Sequence, residues 1–210
     1  MPSILVSEQN GVRYLHFGSE LVQGAMRIAR PYALELAYTR EMVRPLQQGR
    51  RGWPRSVLQV GLGAASFTRY LHRHQPQARV TVIEIAPEVV AAARQFFKLP
   101  PSSPRLTIEI GDGYEYVAAS RRRFDLILLD AFDAGGRAGM LETLPFYLNC
   151  RERLAENGCL ATNLLTRRGS AATVVKRLHE AFDGKVHVLP PCGEGNTVAF
   201  AWKGSRDPVA

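Results

Sequence analysis

Three carboxylates stand at the ends of short apolar runs in the middle of the chain. Glu84 closes VTVIE, Asp112 follows LTIEIG, and Asp130 closes FDLILLD with Asp133 just beyond it. A fourth run, SVLQV, ends instead in Gly61-Leu-Gly63. In an open α/β sheet, residues at the carboxyl ends of the strands face the ligand crevice. Glycines after the first strand let a ligand approach the backbone beside a helix N-terminus, although a tight strand-to-helix turn needs glycine in any case. Glu84 lies roughly twenty residues after Gly61, the spacing at which an acidic side chain accepts from both hydroxyls of a ribose. Its charge would repel a 2′-phosphate. Asp112, between Gly111 and Gly113, can accept from the exocyclic amine of adenine, and it can equally cap the helix that follows. Asp130 and Asp133 would attract a cation and could take a proton from it. The bland alternative makes Asp130 a structural acceptor and Asp133 the cap of a turn.

The elements that must position these groups follow from hydrophobic periodicity. Short apolar runs at 57–60, 80–85, 106–110, 126–129 and 159–165 read as strands. They alternate with helical patterns at 64–74, from Pro87, at 114–120, at 142–155 and at 170–182. Asn157-Gly158 is expected to stop the fourth of these helices. The last two strands, 186–189 and 197–202, are joined by PPCGEGN, too short for a helical crossover, so they must pair antiparallel. The expected fold is a Rossmann-like, seven-stranded, mostly parallel α/β sheet with helices on both faces and an antiparallel last strand. Upstream, 4–7 and 12–17 form a small N-terminal hairpin around Asn10-Gly11. Residues 19–30 are ambiguous, 31–48 read as a helix kinked or ended by Pro45, and 49–55 as a linker. The expected division is an appendage over 1–30 and a catalytic domain over 31–210.

Composition narrows the classes of function. No apolar run approaches the ~20 residues of a membrane span. No signal peptide is read at the start, and the three cysteines, Cys150, Cys159 and Cys192, have no metal-like spacing, which suits a cytoplasmic protein with free thiols. Net charge is +8, carried by 23 arginines against 4 lysines. The dense pairs and triples, Arg50-Arg51, Arg121-Arg122-Arg123 and Arg167-Arg168, fall in expected loops without interleaved aromatics. They read as solvated faces rather than a nucleic-acid surface. The five histidines are dispersed, Ser66 lacks a nucleophile-elbow context, and no phosphate-binding GxxxxGK loop occurs.

The motif series, in its order and spacing, resembles the spermidine synthase (polyamine aminopropyltransferase) family of the S-adenosylmethionine-dependent superfamily. VLQVGLGAAS, VIEIAPEVVAAAR, IEIGDGYEYV, FDLILLDAFD and the segment from Leu141 to Leu164 carry the likeness, with LVQGAMRIARPYALELAYTREMV upstream. The resemblance implies transfer of the aminopropyl group of decarboxylated S-adenosylmethionine to a diamine such as putrescine, with no metal. It implies Gly61, Gly63, Glu84, Asp112 and Gly113 as the cofactor cradle, Glu84 on ribose and Asp112 on adenine. Asp130 becomes the base, assisted by Tyr38, while Gln23 and Asp133 place the amine. A homodimer acting on a small amine, with no nucleic-acid or membrane partner, is the expected assembly. Three departures stand out. The aspartate of the family's glycine loop is Ala64, Ala86 replaces the aspartate after Glu84's strand, and no tyrosine precedes the last strand. Ala64 opens an alternative, a methyltransferase using intact S-adenosylmethionine on the same scaffold. A nucleoside-binding relative without catalysis is a third reading.

Overall fold

A computed structural model describes residues 3–18, 20–48, 50–165, 171–193, 195–205 and 207. Arg167-Arg168, Gly49 of the expected linker, Ser170 at the expected start of the last helix and Glu194 in the final join lie outside the described residues.

The N-terminal sheet has three strands, β1 (Ile4–Gln9), β2 (Val12–Phe17) and β3 (Val22–Arg27), all antiparallel. The hairpin around Asn10-Gly11 is present with both residues at positive φ, and β3 adds a third strand from the segment whose sequence is ambiguous. VQGAMR is strand because Gly24, Ala25 and Met26 are buried against the main body. Gly24 closes on the glycine loop: a Cβ there would lie 2.6 Å from Ala64 Cβ. A short helix, α1 (Ala37–Met42), follows this sheet.

Seven further strands form the main sheet. These are β4 (Ser56–Val60), β5 (Arg79–Glu84), β6 (Leu106–Ile110), β7 (Phe124–Leu129), β8 (Leu154–Leu165), β9 (Val186–Val188) and β10 (Asn196–Trp202). Their order is β6-β5-β4-β7-β8-β10-β9. The pairs β4–β5, β5–β6, β4–β7 and β7–β8 are parallel, while β10 runs antiparallel to both β8 and β9. Strand order reverses between β4 and β7, so a crevice opens at their carboxyl ends.

Alternation along the strands builds a core on each face. Val57, Leu126 and Leu128 pack with Phe67 and Leu71 of α2 (Ser66–His74) and with Val89, Val90 and Ala93 of α3 (Pro87–Phe96). Leu58, Ile127 and Leu129 turn the other way. They meet Val117 of α4 (Gly113–Ala119), Phe146 and Cys150 of α5 (Leu144–Arg153), and Val174 and Leu178 of α6 (Ala171–Ala181). Both faces of the central strands β4 and β7 are thereby covered, and their buried positions are mostly apolar.

Two helices are shorter than their periodicity predicts. The segment 31–48 is helical only over α1, followed by a 3-10 turn at Arg44–Gln47 that carries Pro45. Upstream, Glu35 is held by Arg27 and Pro31 O accepts from Arg69 Nε at 2.6 Å, which fixes that stretch outside a helix. The segment 142–155 splits into a 3-10 turn (Gly139–Glu142) and α5, which ends at Arg153. Asn157-Gly158 therefore sits not at a helix end but in a bulge of β8, where pairing with β7 jumps from Leu154 to Cys159. No helix among the described residues is long and apolar enough to cross a membrane.

Arg69 joins these layers. It is wholly buried, and its guanidinium donates to the carbonyls of Pro31, Ala64 and Phe97. Burial lowers its pKa to about 10, so it remains charged near neutrality. One cation thus fixes the segment before α1, the glycine loop and the end of α3.

The tightest approach is at Gly61, at φ +90, where a Cβ would overlap the main-chain oxygen of Asp130. Gly61→Ala is expected to lower stability by roughly 2–4 kcal/mol, the range of a backbone clash that neither strand can relieve. Chemical denaturation of the two proteins measures it. Equal midpoints would mean that the strand ends can separate.

Candidate active site

A cavity of about 870 Å³ lies at the carboxyl ends of β4, β5, β6 and β7. All nine residues anticipated from sequence, Gln23, Tyr38, Gly61, Gly63, Glu84, Asp112, Gly113, Asp130 and Asp133, line it. Parallel strands in register deliver the carboxylates to one edge, and β3 and α1 close over them.

One end of the cavity is built around Glu84. Its Oε2 accepts from Leu62 N at 2.8 Å and its Oε1 from Ala86 N at 3.0 Å. The side chain is only 8% exposed. Burial pushes its carboxyl up, and amides of the glycine loop and of the turn after β5 pull it back down. A carboxylate has about four lone-pair sites, so acceptor capacity remains for a ligand after two amides are bound. Asp112 caps α4 through Oδ1, which accepts from Tyr114 N at 2.7 Å. The two sequence readings, cap and ligand acceptor, are therefore compatible in one side chain. Val60 occupies the space where Gly113 would carry a Cβ, so glycine there lets the start of α4 press against β4. Ile85 is 68% exposed at the cavity wall and Leu141 faces the same cavity, giving apolar surface for a planar base.

The other end is built around Asp130. Its Oδ2 accepts from Tyr38 Oη at 3.0 Å, and its Oδ1 accepts from Asn163 Nδ2 at 3.0 Å. Burial raises the Asp130 carboxyl above the ordinary range, and the two donors offset part of that rise. Burial first, then the Asp130 charge and their hydrogen bond, hold the Tyr38 hydroxyl well above its usual pKa, so it stays a donor. Asp130 is thus a half-buried carboxylate held in one orientation with a raised proton affinity, properties that suit a general base.

Asp133 is held differently. Its Oδ1 accepts from Gly135 N at 2.8 Å and Arg137 N at 2.9 Å, and its Oδ2 from Arg137 Nε at 2.9 Å. Slight burial acts upward, but these hydrogen bonds and the Arg137 charge outweigh it and lower its pKa. The turn-capping reading therefore holds for Asp133, and an arginine stands beside it at the cavity rim. Ala64 is 2% exposed beneath Gly24, so the cavity wall at that point carries no charge.

Sequence reasoning missed Asn163. It is 5% exposed, lines the cavity, and its Oδ1 has no hydrogen-bond partner. The available signal was an amide inside the otherwise apolar run of β8, a placement that needs a polar partner.

The chain matches the spermine/spermidine synthase domain model over residues 35–195. It is 34% identical to the polyamine aminopropyltransferase of Neisseria meningitidis over 211 residues, covering 97% of this chain and 77% of that protein. A Corynebacterium glutamicum structure described as a probable spermidine synthase superposes with a TM-score of 0.80 at 21% identity, over 95% of this chain and 76% of the other. Human methyltransferase-like protein 13, solved with S-adenosylhomocysteine, superposes with a TM-score of 0.70 at 24% identity, over 80% and 82%. These two likenesses reflect the shared fold. With motifs, topology and cavity in agreement, the chain belongs to the spermine/spermidine synthase family.

Proposed function

We propose that this chain transfers the aminopropyl group of decarboxylated S-adenosylmethionine to a small amine, with Asp130 as the general base. The observation that carries this reading is Asp130, half-buried at the cavity wall and gripped by Tyr38 and Asn163 across the cavity from Glu84. The cradle suits a nucleoside: a glycine loop whose backbone lines the cavity, a fixed carboxylate for ribose, a second carboxylate for the base, and apolar walls. When bound, the donor supplies a sulfonium whose adjacent carbon accepts the amine's lone pair.

The chain's own residues do the rest. An ammonium has no lone pair, so a proton must leave before attack. Asp130 takes it, and its raised proton affinity makes it a better base than an exposed aspartate. Tyr38 and Asn163 hold both oxygens, so the carboxylate cannot swing away. Gln23 of β3 and Asp133 with Arg137 also line the cavity and would help place the amine. In this arrangement residues 1–30 roof the site and 31–210 carry the chemistry.

Methyl transfer from intact S-adenosylmethionine is the second reading, favoured by Ala64. No carboxylate there repels the amino-acid tail of the undecarboxylated molecule or pairs with the aminopropyl amine. Calorimetry with both molecules separates the two: tighter binding of the decarboxylated form supports aminopropyl transfer, and the reverse order supports methyl transfer.

Asp130→Asn is expected to reduce methylthioadenosine release by ~10²–10⁴-fold, the usual worth of a positioned base. Wild-type turnover in that variant would remove Asp130 from the mechanism. Asn163→Ala removes a bond that favours the ionised form of Asp130, so the acid limb of the kcat/KM profile should move to higher pH. The wild-type limb should itself lie above the ~4 of an ordinary aspartate. An unmoved limb in the variant would leave Asn163 a packing residue only.

A further inference from the structure

The end of the sheet opposite the catalytic cavity holds a second concave region, of about 700 Å³. Arg55, Arg79, Arg122 and Arg123 line it, with Ser56 and Gln77 between them. Parallel pairing brings them together. Ser56 is registered with Arg79, and Val57 with Leu126, so the segments entering β4, β5 and β7 meet at one edge. The catalytic cavity lies at the other ends of the same strands, roughly 15 Å away for a five-residue strand.

Among the described residues, none of these four guanidiniums forms an ion pair with a carboxylate. The nearby Asp125 is turned to the backbone, where its Oδ2 accepts from Arg55 N at 2.7 Å and Ser56 N at 3.0 Å. Two of the arginines are fixed in place. Arg122 Nη1 donates to Thr81 Oγ1 at 3.0 Å, and its guanidinium lies 5.3 Å over the ring of Phe124. Arg123 Nη1 donates to the carbonyls of Glu152 and Leu154. All four arginines are exposed. Four cations against the one nearby carboxylate of Asp125, itself engaged by backbone amides, leave a net positive rim, and a bound anion relieves its repulsion. Planar guanidinium forks suit phosphate oxygens, and prefixed ones lose little freedom on binding.

We infer that this cavity binds a small anion with two or more linked phosphates, such as inorganic triphosphate or a nucleoside triphosphate. A single phosphate would engage only part of a four-arginine rim of this width. The site is separate from the aminopropyl-transfer machinery and stands whether or not that reading holds.

The test is calorimetric titration of the full chain with sodium triphosphate in about 150 mM salt, where diffuse surface attraction is largely screened. One saturable site is expected, weakened at least tenfold in Arg55→Ala/Arg79→Ala and unchanged in Arg94→Ala, a distant control on α3. The lysine pair Arg55→Lys/Arg79→Lys should fall between, since it keeps charge but loses the fork. Thermal melts of each protein confirm folding, and the alanine pair should keep its transferase activity. Absence of saturable binding, equal binding in the alanine pair, or equal loss in Arg94→Ala overturns the proposal. So does binding of a single-stranded oligonucleotide without binding of triphosphate. Titration with adenosine triphosphate then separates a nucleotide source, which binds more tightly than triphosphate, from an inorganic one; either result supports the site.

Discussion

The whole arrangement turns on the contact between the ends of β4 and β7. Gly61 N donates to Ile83 O at 2.9 Å and Asp130 N to Val60 O at 3.0 Å, which brings three adjacent strand ends level. The Gly61 backbone lies so close to the Asp130 carbonyl that no side chain fits between them. The glycine loop and Asp130, the proposed base, are thus parts of one rigid junction. Reactants held there share a fixed separation, and such positioning supplies a large part of a two-substrate enzyme's rate.

Around that junction the protein places charge sparingly. Glu84 is buried and Asp130 half-buried; both are raised by desolvation, and both are stabilised by donors that the fold supplies. They differ in what the donors are. Glu84 is tied by main-chain amides of its own loops, so it is a fixture of the cradle. Asp130 is tied by the side chains of Tyr38 and Asn163, from elements far apart in sequence, so its basicity can be tuned without disturbing the sheet. Arg69 performs the corresponding structural task with a buried cation, linking the roof and the glycine loop to α3.

The N-terminal sheet makes the crevice a cavity. β3 lies on the glycine loop through the Gly24–Ala64 contact, and Ser66 Oγ donates to Ala25 O at 3.1 Å. Ala64 therefore has two consequences. It lets the roof settle closely, and it leaves an uncharged wall where the family carries an aspartate.

Much of this was legible in the primary structure because parallel strands in register convert sequence position into spatial position. An acidic residue ending each apolar run had to reach the same edge, so Glu84, Asp112 and Asp130 could be assigned to one site from their spacing. The glycines announced close approach for the same reason. Other features depended on partners distant in the chain. Residues 22–27 became a strand only because the body offered a surface to bury Gly24, Ala25 and Met26. The helix expected from Pro31 shortened because Arg69 captured the Pro31 carbonyl. Asn163 gained meaning only when β8 paired beside β7 and set its amide against Asp130. Arg55 and Arg79 joined Arg122 and Arg123 of the arginine triple only when strand pairing gathered them. Local pattern determines which strand each group terminates. The hydrogen bonds and burial that decide what each group can do arise between segments, and only the tertiary structure brings those segments together.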